Sequence, residues 1–227
     1  MSFSVLCYFS ILLFIPAAFF AITALYFSYA RYLFSPAGKN VQEDIRNLIL
    51  QNLDWDGRGT VLEIGCGSGA LAIAIAKKYP DAKVVGTDSW GRSWEYSQRV
   101  SEKNARIENV SDRVKFQVAS ASSLPFSDNQ FDVVISNLVF HEVKETQNKQ
   151  DLIREALRVV RKGGKFVFQD LFYLTRVFGE PQALVKSVEN LGVQTVKLTE
   201  TRNSSFIPNL LKLPFMVGTL GLLKGEK

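Results

Sequence analysis

The chain has 227 residues, 47% of them hydrophobic, with a net charge of +5 and a single histidine. That length suits one domain of roughly 190 residues plus a short accessory segment. The modest charge, with no Lys/Arg run interleaved with aromatics, argues against a nucleic-acid partner and leaves anionic lipid as a surface the excess can face. Two cysteines, Cys7 and Cys66, make no disulfide framework and suit a reducing compartment, and one His without clustered Cys gives no expected metal site.

In chain order, Ser2 to Ala30 carries no charged residue and is rich in Phe, Leu, Ile, Ala and Tyr. As a helix it would exceed a ~30 Å hydrocarbon core. Pro16 falls mid-segment, where a membrane helix tolerates a kink, and Tyr26, Tyr29 and Tyr32 suit an interfacial aromatic belt. Residues 1–34 therefore read as a single-pass membrane anchor. Arg31 and Lys39 beyond it put the rest of the chain on the cytoplasmic side. A signal peptide fits worse, since a basic leader is missing and the apolar run is too long. A buried helix or a re-entrant hairpin broken at Pro16 are the other readings. Residues 35–57 form a linker, Ser35-Pro36-Ala37-Gly38, and an amphipathic helix marked by Val41, Ile45, Leu48 and Ile49.

From residue 58 strand and helix patterns alternate: strand 60–64, helix 69–79, strand 83–88, helix 92–107, strand 114–118, strand 131–136, helix 148–161 and strand 164–170. Such alternation predicts an α/β fold with a parallel sheet. Gly163-Gly164 after Arg158, Arg161 and Lys162 reads as the stop of the helix before the last of these strands. A helix at 181–191, a strand at 193–199, a helical turn at 205–211 and an apolar strand at 214–223 complete the chain, residues 58–227 forming the main domain.

The centre of the pattern is Thr60-Val61-Leu62-Glu63-Ile64-Gly65-Cys66-Gly67-Ser68-Gly69-Ala70, an apolar strand, a glycine turn and a helix start. Glycines at alternate positions allow a tight turn, and the helix N-terminus favours an anionic group. Gly65, Gly67 and Ala70 also satisfy the dinucleotide fingerprint, so the turn alone fits two cofactor classes. The surroundings separate them. Glu63 with Gly65, Gly67 and Gly69, then Val84-Val85-Gly86-Thr87-Asp88, Leu124-Pro125-Phe126, Phe131 to Asn137 and Glu155 to Gly164 resemble the class I S-adenosylmethionine-dependent methyltransferases over roughly residues 58–172. The resemblance implies a Rossmann-like, seven-stranded, mostly parallel sheet with helices on both faces, here preceded by a transmembrane helix.

It also implies S-adenosyl-L-methionine as cofactor, with Glu63, Gly65, Cys66, Gly67, Gly69, Asp88, Ser89, Trp90, Ser120, Ala121 and Asn137 as binding residues. The glycine-turn amides would take the amino-acid end, Asp88 the ribose diol, and Trp90 an adenine face. Glu63 would organise the turn or meet the cofactor amine through water. The family's acid after the third strand is replaced by Val118-Ala119-Ser120-Ala121-Ser122, so Ser120 or the Ala121 amide stands in for it. His141, with Glu142 beside it, is the candidate general base at the end of the fourth strand. Gln169 and Asp170 close the fifth strand at the same rim, and Phe140, Phe168, Phe172 and Tyr173 read as core aromatics or acceptor walls. The expected function is methyl transfer to a small, lipidic or ring-bearing acceptor. A nicotinamide-dependent oxidoreductase and a non-catalytic tethered binding module are the alternatives. The apolar 204–215 segment covers a sheet edge or touches the bilayer.

Overall fold

The computed structural model describes residues 3–91 and 97–227, with side chains from Phe14 onward on the first helix. It divides into two compact units, Met1–Ile45 and Arg46–Lys227. The first is dominated by α1, Phe3–Phe34, which carries Pro16 within it. Its Phe14–Phe34 stretch is long and apolar enough to cross a membrane. Phe14, Phe19, Phe20, Ile22 and Leu25 are all exposed, and the Thr23 hydroxyl is spent on the Phe19 carbonyl at 2.8 Å, so the helix offers the outside little but hydrocarbon and aromatic rings. It ends where the Ser35 hydroxyl donates to the Tyr32 carbonyl at 2.8 Å. There Gly38 lies so close to that carbonyl that a Cβ would collide with it. Helix α2 follows over Val41–Asn52.

The second unit holds β1 Gly59–Ile64, α3 Ala70–Lys78, β2 Ala82–Asp88, α4 Gln98–Ile107, β3 Val114–Val118, β4 Phe131–Asn137, α5 Gln150–Val159 and β5 Val160–Asp170. Then come α6 Thr175–Phe178, α7 Pro181–Glu189, β6 Thr195–Glu200, a 3-10 turn at Asn209–Leu211 and β7 Gly221–Glu226. The strands form one seven-stranded sheet in the order β3-β2-β1-β4-β5-β7-β6, with β7 antiparallel to both its neighbours. The Rossmann-like expectation holds.

The alternation of side chains along a strand explains the layers. Leu62 and Ile64 of β1, with Val134, Phe166 and Phe168, pack under α5 and α7 through Leu152, Ile153, Leu157, Leu184 and Val188. Val61, Val84, Val133, Ile135 and Val167 point the other way, against Leu71, Ile75 and Ala76 of α3, Ala105 of α4, Ile49 of α2 and Leu53 just after it. Both faces are buried, which is why these strands read as nearly continuous apolar runs. Phe140, Phe168 and Phe172 are fully buried and belong to this core, leaving Tyr173 as the partly exposed aromatic of that rim.

Three local expectations differ from the structure. Gly163 and Gly164 do not cap a helix, because α5 already ends at Val159 and β5 starts at Val160. They sit inside a strand whose register with β4 shifts between Phe131 and Val133. Gly163 has φ 72°, and a Cβ on Gly164 would meet the Arg161 and Asp132 carbonyls, so the glycines permit a corner in the strand. The last strand begins at Gly221, not near 214, since residues 213–218 are bound into a tight turn by Met216 and Gly218 N–H groups donating to the Leu213 carbonyl at 2.9 and 3.0 Å. The helical turn predicted at 205–211 shrinks to Asn209–Leu211. The start of the predicted 92–107 helix and Trp94 lie outside the described residues.

Candidate functional site

The chain builds β1 to β3 outward in one direction and β4 to β5 in the other, so the strand order reverses between β1 and β4. At the carboxyl end of that junction two connections diverge and leave a crevice, the usual ligand position in open α/β sheets. The glycine turn after β1 and the segment after β4 meet there. Gly65 has φ 73°, and a Cβ on it would run into the Val139 side chain. Gly69, φ 80°, faces Phe116 in the same way, with 2.6 Å left between a Cβ and the ring. These two glycines are therefore required by conformation and close packing together.

Several of the turn's amides have partners within the chain. Gly65 and Cys66 N–H groups donate to the Thr87 carbonyl at 2.7 and 2.9 Å, and Gly67 N–H donates to Asp88 Oδ2 at 2.8 Å. Glu63 is 3% exposed and its Oε2 accepts from Ala72 N–H at 2.7 Å, tying β1 to the first turn of α3. Burial pushes its carboxyl up to about 8, with the Asp88 charge adding to the rise and the Ala72 N–H and Arg46 opposing it. Burial likewise pushes the Cys66 thiol up, helped by Glu63 and Asp88.

Asp88 and Trp90 close over the turn. Asp88 Oδ1 accepts Trp90 N–H at 2.8 Å, and the Trp90 indole N–H donates to the Gly67 carbonyl at 2.8 Å, with Trp90 in the left-handed region at φ 41°. Ser101 and Asn104 of α4 brace the turn from outside, donating to the Gly67 and Ser68 carbonyls at 2.8 and 3.0 Å; sequence reasoning did not single them out. Each Asp88 oxygen accepts one N–H, whereas an ionised carboxylate offers about four acceptor positions. Among the described residues two positions remain, so Asp88 could hold the ribose diol of S-adenosylmethionine, and the indole lies next to it. Ser89 is exposed beside Asp88. Ala119 N–H donates to the Asp88 carbonyl at 3.0 Å, bringing Ser120 to this edge, where its hydroxyl is paired with Ser122 at 2.8 Å. The Ala121 side chain packs into the core.

Across the crevice, β4 and β5 end side by side, Asn137 opposite Gln169, with the Gln169 amide donating to Asn137 Oδ1 at 3.2 Å. Leu138 follows at φ 59°, a strained position for a branched side chain, and its N–H donates to the Gln169 carbonyl at 2.7 Å. That turn swings the next residues back over Asp170, whose side chain is 1% exposed. Asp170 Oδ2 accepts Phe140 N–H at 2.8 Å and Oδ1 accepts Leu171 N–H at 2.7 Å. Oδ1 also lies 2.6 Å from His141 Nδ1. With Nδ1–H donated to Asp170, the neutral ring carries its lone pair on Nε2, which lies 3.4 Å from Glu142 Oε1. Burial works to lower the His141 pKa, but the hydrogen bond and charge of Asp170, with Glu142 adding, carry it above the ordinary value.

The expected base and a rim carboxylate are thus one hydrogen-bonded pair, a link not anticipated from the sequence although both lie at the ends of adjacent strands. Among the described residues no group of His, Cys, Asp and Glu could hold a metal ion.

A methyltransferase-domain family profile matches residues 62–168. The chain is 31% identical over 137 residues to a sterol 4-C-methyltransferase of Caenorhabditis elegans, covering 59% of this chain and 38% of that protein. It is 28% identical over 125 residues to a ubiquinone/menaquinone biosynthesis C-methyltransferase of Desulfotalea psychrophila, covering 55% and 46%. The chain thus spans less than half the length of these curated relatives. Among solved structures it resembles a geranyl diphosphate C-methyltransferase from Streptomyces coelicolor, crystallised with Mg2+, geranyl diphosphate and S-adenosyl-L-homocysteine, at TM-score 0.63, 13% identity and 82% and 79% coverage. A [4+2]-cyclase gives TM-score 0.61 at 19% identity, covering 81% of this chain and 80% of that one. These matches and the sheet order support a class I S-adenosylmethionine-dependent methyltransferase fold, with the family match confined to residues 62–168.

Proposed function

We propose that this protein is a membrane-anchored enzyme that transfers a methyl group from S-adenosylmethionine to a small lipidic or ring-bearing acceptor. The observation that carries the reading is the His141–Asp170 pair, 2.6 Å between Nδ1 and Oδ1, at the carboxyl edge of the sheet across the crevice from Asp88. S-adenosylmethionine supplies an electrophilic methyl, its C–S bond breaking with the electron pair returning to sulfur. This chain's part is to hold and to deprotonate: Asp88 takes the ribose diol, Trp90 lies beside the adenine, and His141 Nε2 takes the proton from the acceptor atom that becomes methylated. Asp170 fixes the ring so that Nε2, 3.4 Å from Glu142 Oε1, keeps its lone pair, and stabilises the imidazolium once the proton arrives.

Helix α1 supports the anchor. Its Phe14–Phe34 stretch has the length and composition of a span, and only Arg31 among its residues is charged. An anchor confines the enzyme to a bilayer surface, which suits an acceptor that itself resides in lipid, and the basic flank favours the cytoplasmic face. The relatives and structural neighbours named for sterol 4-C-methylation, ubiquinone/menaquinone biosynthesis and geranyl diphosphate C-methylation support an apolar acceptor.

A second reading, a tethered binding module without methyl transfer, is favoured by the closed Asp88–Gly67–Trp90 network and by the occurrence of this fold in a [4+2]-cyclase. Full-length protein in lipid, given methyl-labelled S-adenosylmethionine and cell lipid extracts, separates the two. Label in the lipid fraction together with released S-adenosylhomocysteine is expected, and loss of both in His141→Ala. Cofactor binding without release would favour the module.

A further inference from the structure

We infer that the connection between β6 and β7, residues 201–220, is a membrane-docking surface that inserts an apolar tip into the bilayer beside the acceptor edge of the domain; this rests on the reading of α1 as a membrane anchor. The tip is Leu213-Pro214-Phe215, with Leu213 38% and Phe215 62% exposed, and Leu210 behind it at 39%. A loop tip of this composition is uncommon on a surface meant only for water.

The exposure is built in. Ile207, Leu211, Val217 and Leu220 are buried and fasten both arms of the connection to the domain. Val217 N–H donates to the Leu211 carbonyl at 3.1 Å, and Met216 and Gly218 N–H groups donate to Leu213. Gly218 passes so close to the Lys212 carbonyl that a Cβ would not fit, and the Arg202 guanidinium donates to the Gly218 carbonyl at 3.3 Å. The turn has no slack with which to fold Leu213 and Phe215 inward. Lys212 flanks the tip, with Arg202 nearby in an ion pair with Glu200, and a cation beside an apolar wedge complements anionic headgroups.

The position also fits. Strand β7 starts at Gly221, paired with Asp170 on one side and Glu200 on the other, and Tyr173 N–H donates to the Thr219 carbonyl at 3.0 Å. The connection therefore rises from the same sheet edge that carries Asp170 and, on it, His141. An apolar acceptor leaving the lipid at this tip would emerge at that edge.

Three full-length variants, Phe215→Trp, Leu213→Trp and Ile107→Trp, reconstituted in anionic vesicles test the inference. Each is compared with wild type to subtract the native tryptophans. Ile107 is exposed at the end of α4 that leads into β3, at the opposite sheet edge, and serves as the control. The added emission at 215 and 213 is expected to shift to the blue and fall about twofold or more with acyl-brominated lipids, while that at 107 responds only to aqueous iodide. Emission at both 215 and 213 that iodide quenches and brominated lipid does not would overturn the inference. Flotation of the same samples keeps the two readings apart. A chain that floats with its tip in water loses only this surface, and one that does not float loses the anchor and this surface together.

Discussion

Asp170 and His141 are bound twice: Asp170 Oδ2 accepts the His141 backbone N–H at 3.4 Å while Oδ1 lies 2.6 Å from Nδ1. The backbone contact sets where the ring starts and the side-chain contact sets which nitrogen keeps its lone pair. For a base this dictates a pH profile. Asp170 and Glu142 hold the His141 pKa above 6.5 against the opposing effect of burial, so methyl transfer should rise with pH through a midpoint above 6.5. His141→Ala should remove that limb and lower turnover about 10²- to 10⁴-fold. A profile unchanged in the variant would remove His141 from the mechanism.

Asp170→Asn should move the acid limb to lower pH, because the imidazolium loses its charged partner, and should lower turnover by turning the ring tautomer. It should also cost about 3 kcal/mol of stability, since an amide cannot accept from all the N–H groups that Asp170 serves. The proton on His141 is held more tightly in the folded state. Its contribution to stability is full below about pH 6.5 and is lost as pH rises through the folded pKa, so the wild type should lose stability over that window and the variant should lose less. Thermal melts across pH 5.5 to 8.5 read this directly.

Glu63→Gln should flatten a different pH dependence. A buried carboxyl raised from 4.5 to about 8 binds a proton more tightly folded than unfolded, so the wild type should weaken as pH climbs from about 4.5 to about 8, by on the order of a few kcal/mol. The amide oxygen of Gln keeps the bond to Ala72 N–H without ionising. Melts of the variant should be level from about pH 4.5 to 6.5, keep only the His141 decline above that, and match or exceed wild type above pH 8. A decline parallel to wild type would show that the carboxyl is not the source.

Gly65→Ala should cost about 1–3 kcal/mol from the left-handed backbone alone, and more because its methyl displaces Val139. Denaturant midpoints check this, and Val139→Ala in the same chain should recover part of the loss. No recovery would mean that the conformation, not the contact with the β4 connection, makes glycine necessary.

The alternation of apolar strands and helices made the sheet legible in the sequence, because buried parallel strands and amphipathic helices carry different periods. The glycine turn and Asp88 were legible for a similar reason: local chemistry marks them. Less was visible where distant residues decide the outcome. The pairing of Asp170 with His141 depends on two strands, far apart in the chain, ending at the same level. The internal commitment of the Gly65 and Cys66 amides to Thr87 depends on how β2 passes the turn. Gly163-Gly164 misled because a glycine after cationic residues looks the same whether it stops a helix or bends a strand, and only the β4 register distinguishes them.

The most direct test of the central claim is calorimetric titration of the full-length protein and its Asp88→Ala variant with S-adenosylhomocysteine, S-adenosylmethionine and NAD. Wild type should bind the two S-adenosyl compounds and not NAD, and Asp88→Ala should weaken them about tenfold or more, as expected for losing charge-assisted bonds to a diol, while melting as a folded domain. Binding of NAD with no response to S-adenosylmethionine, or full affinity in Asp88→Ala, would contradict it.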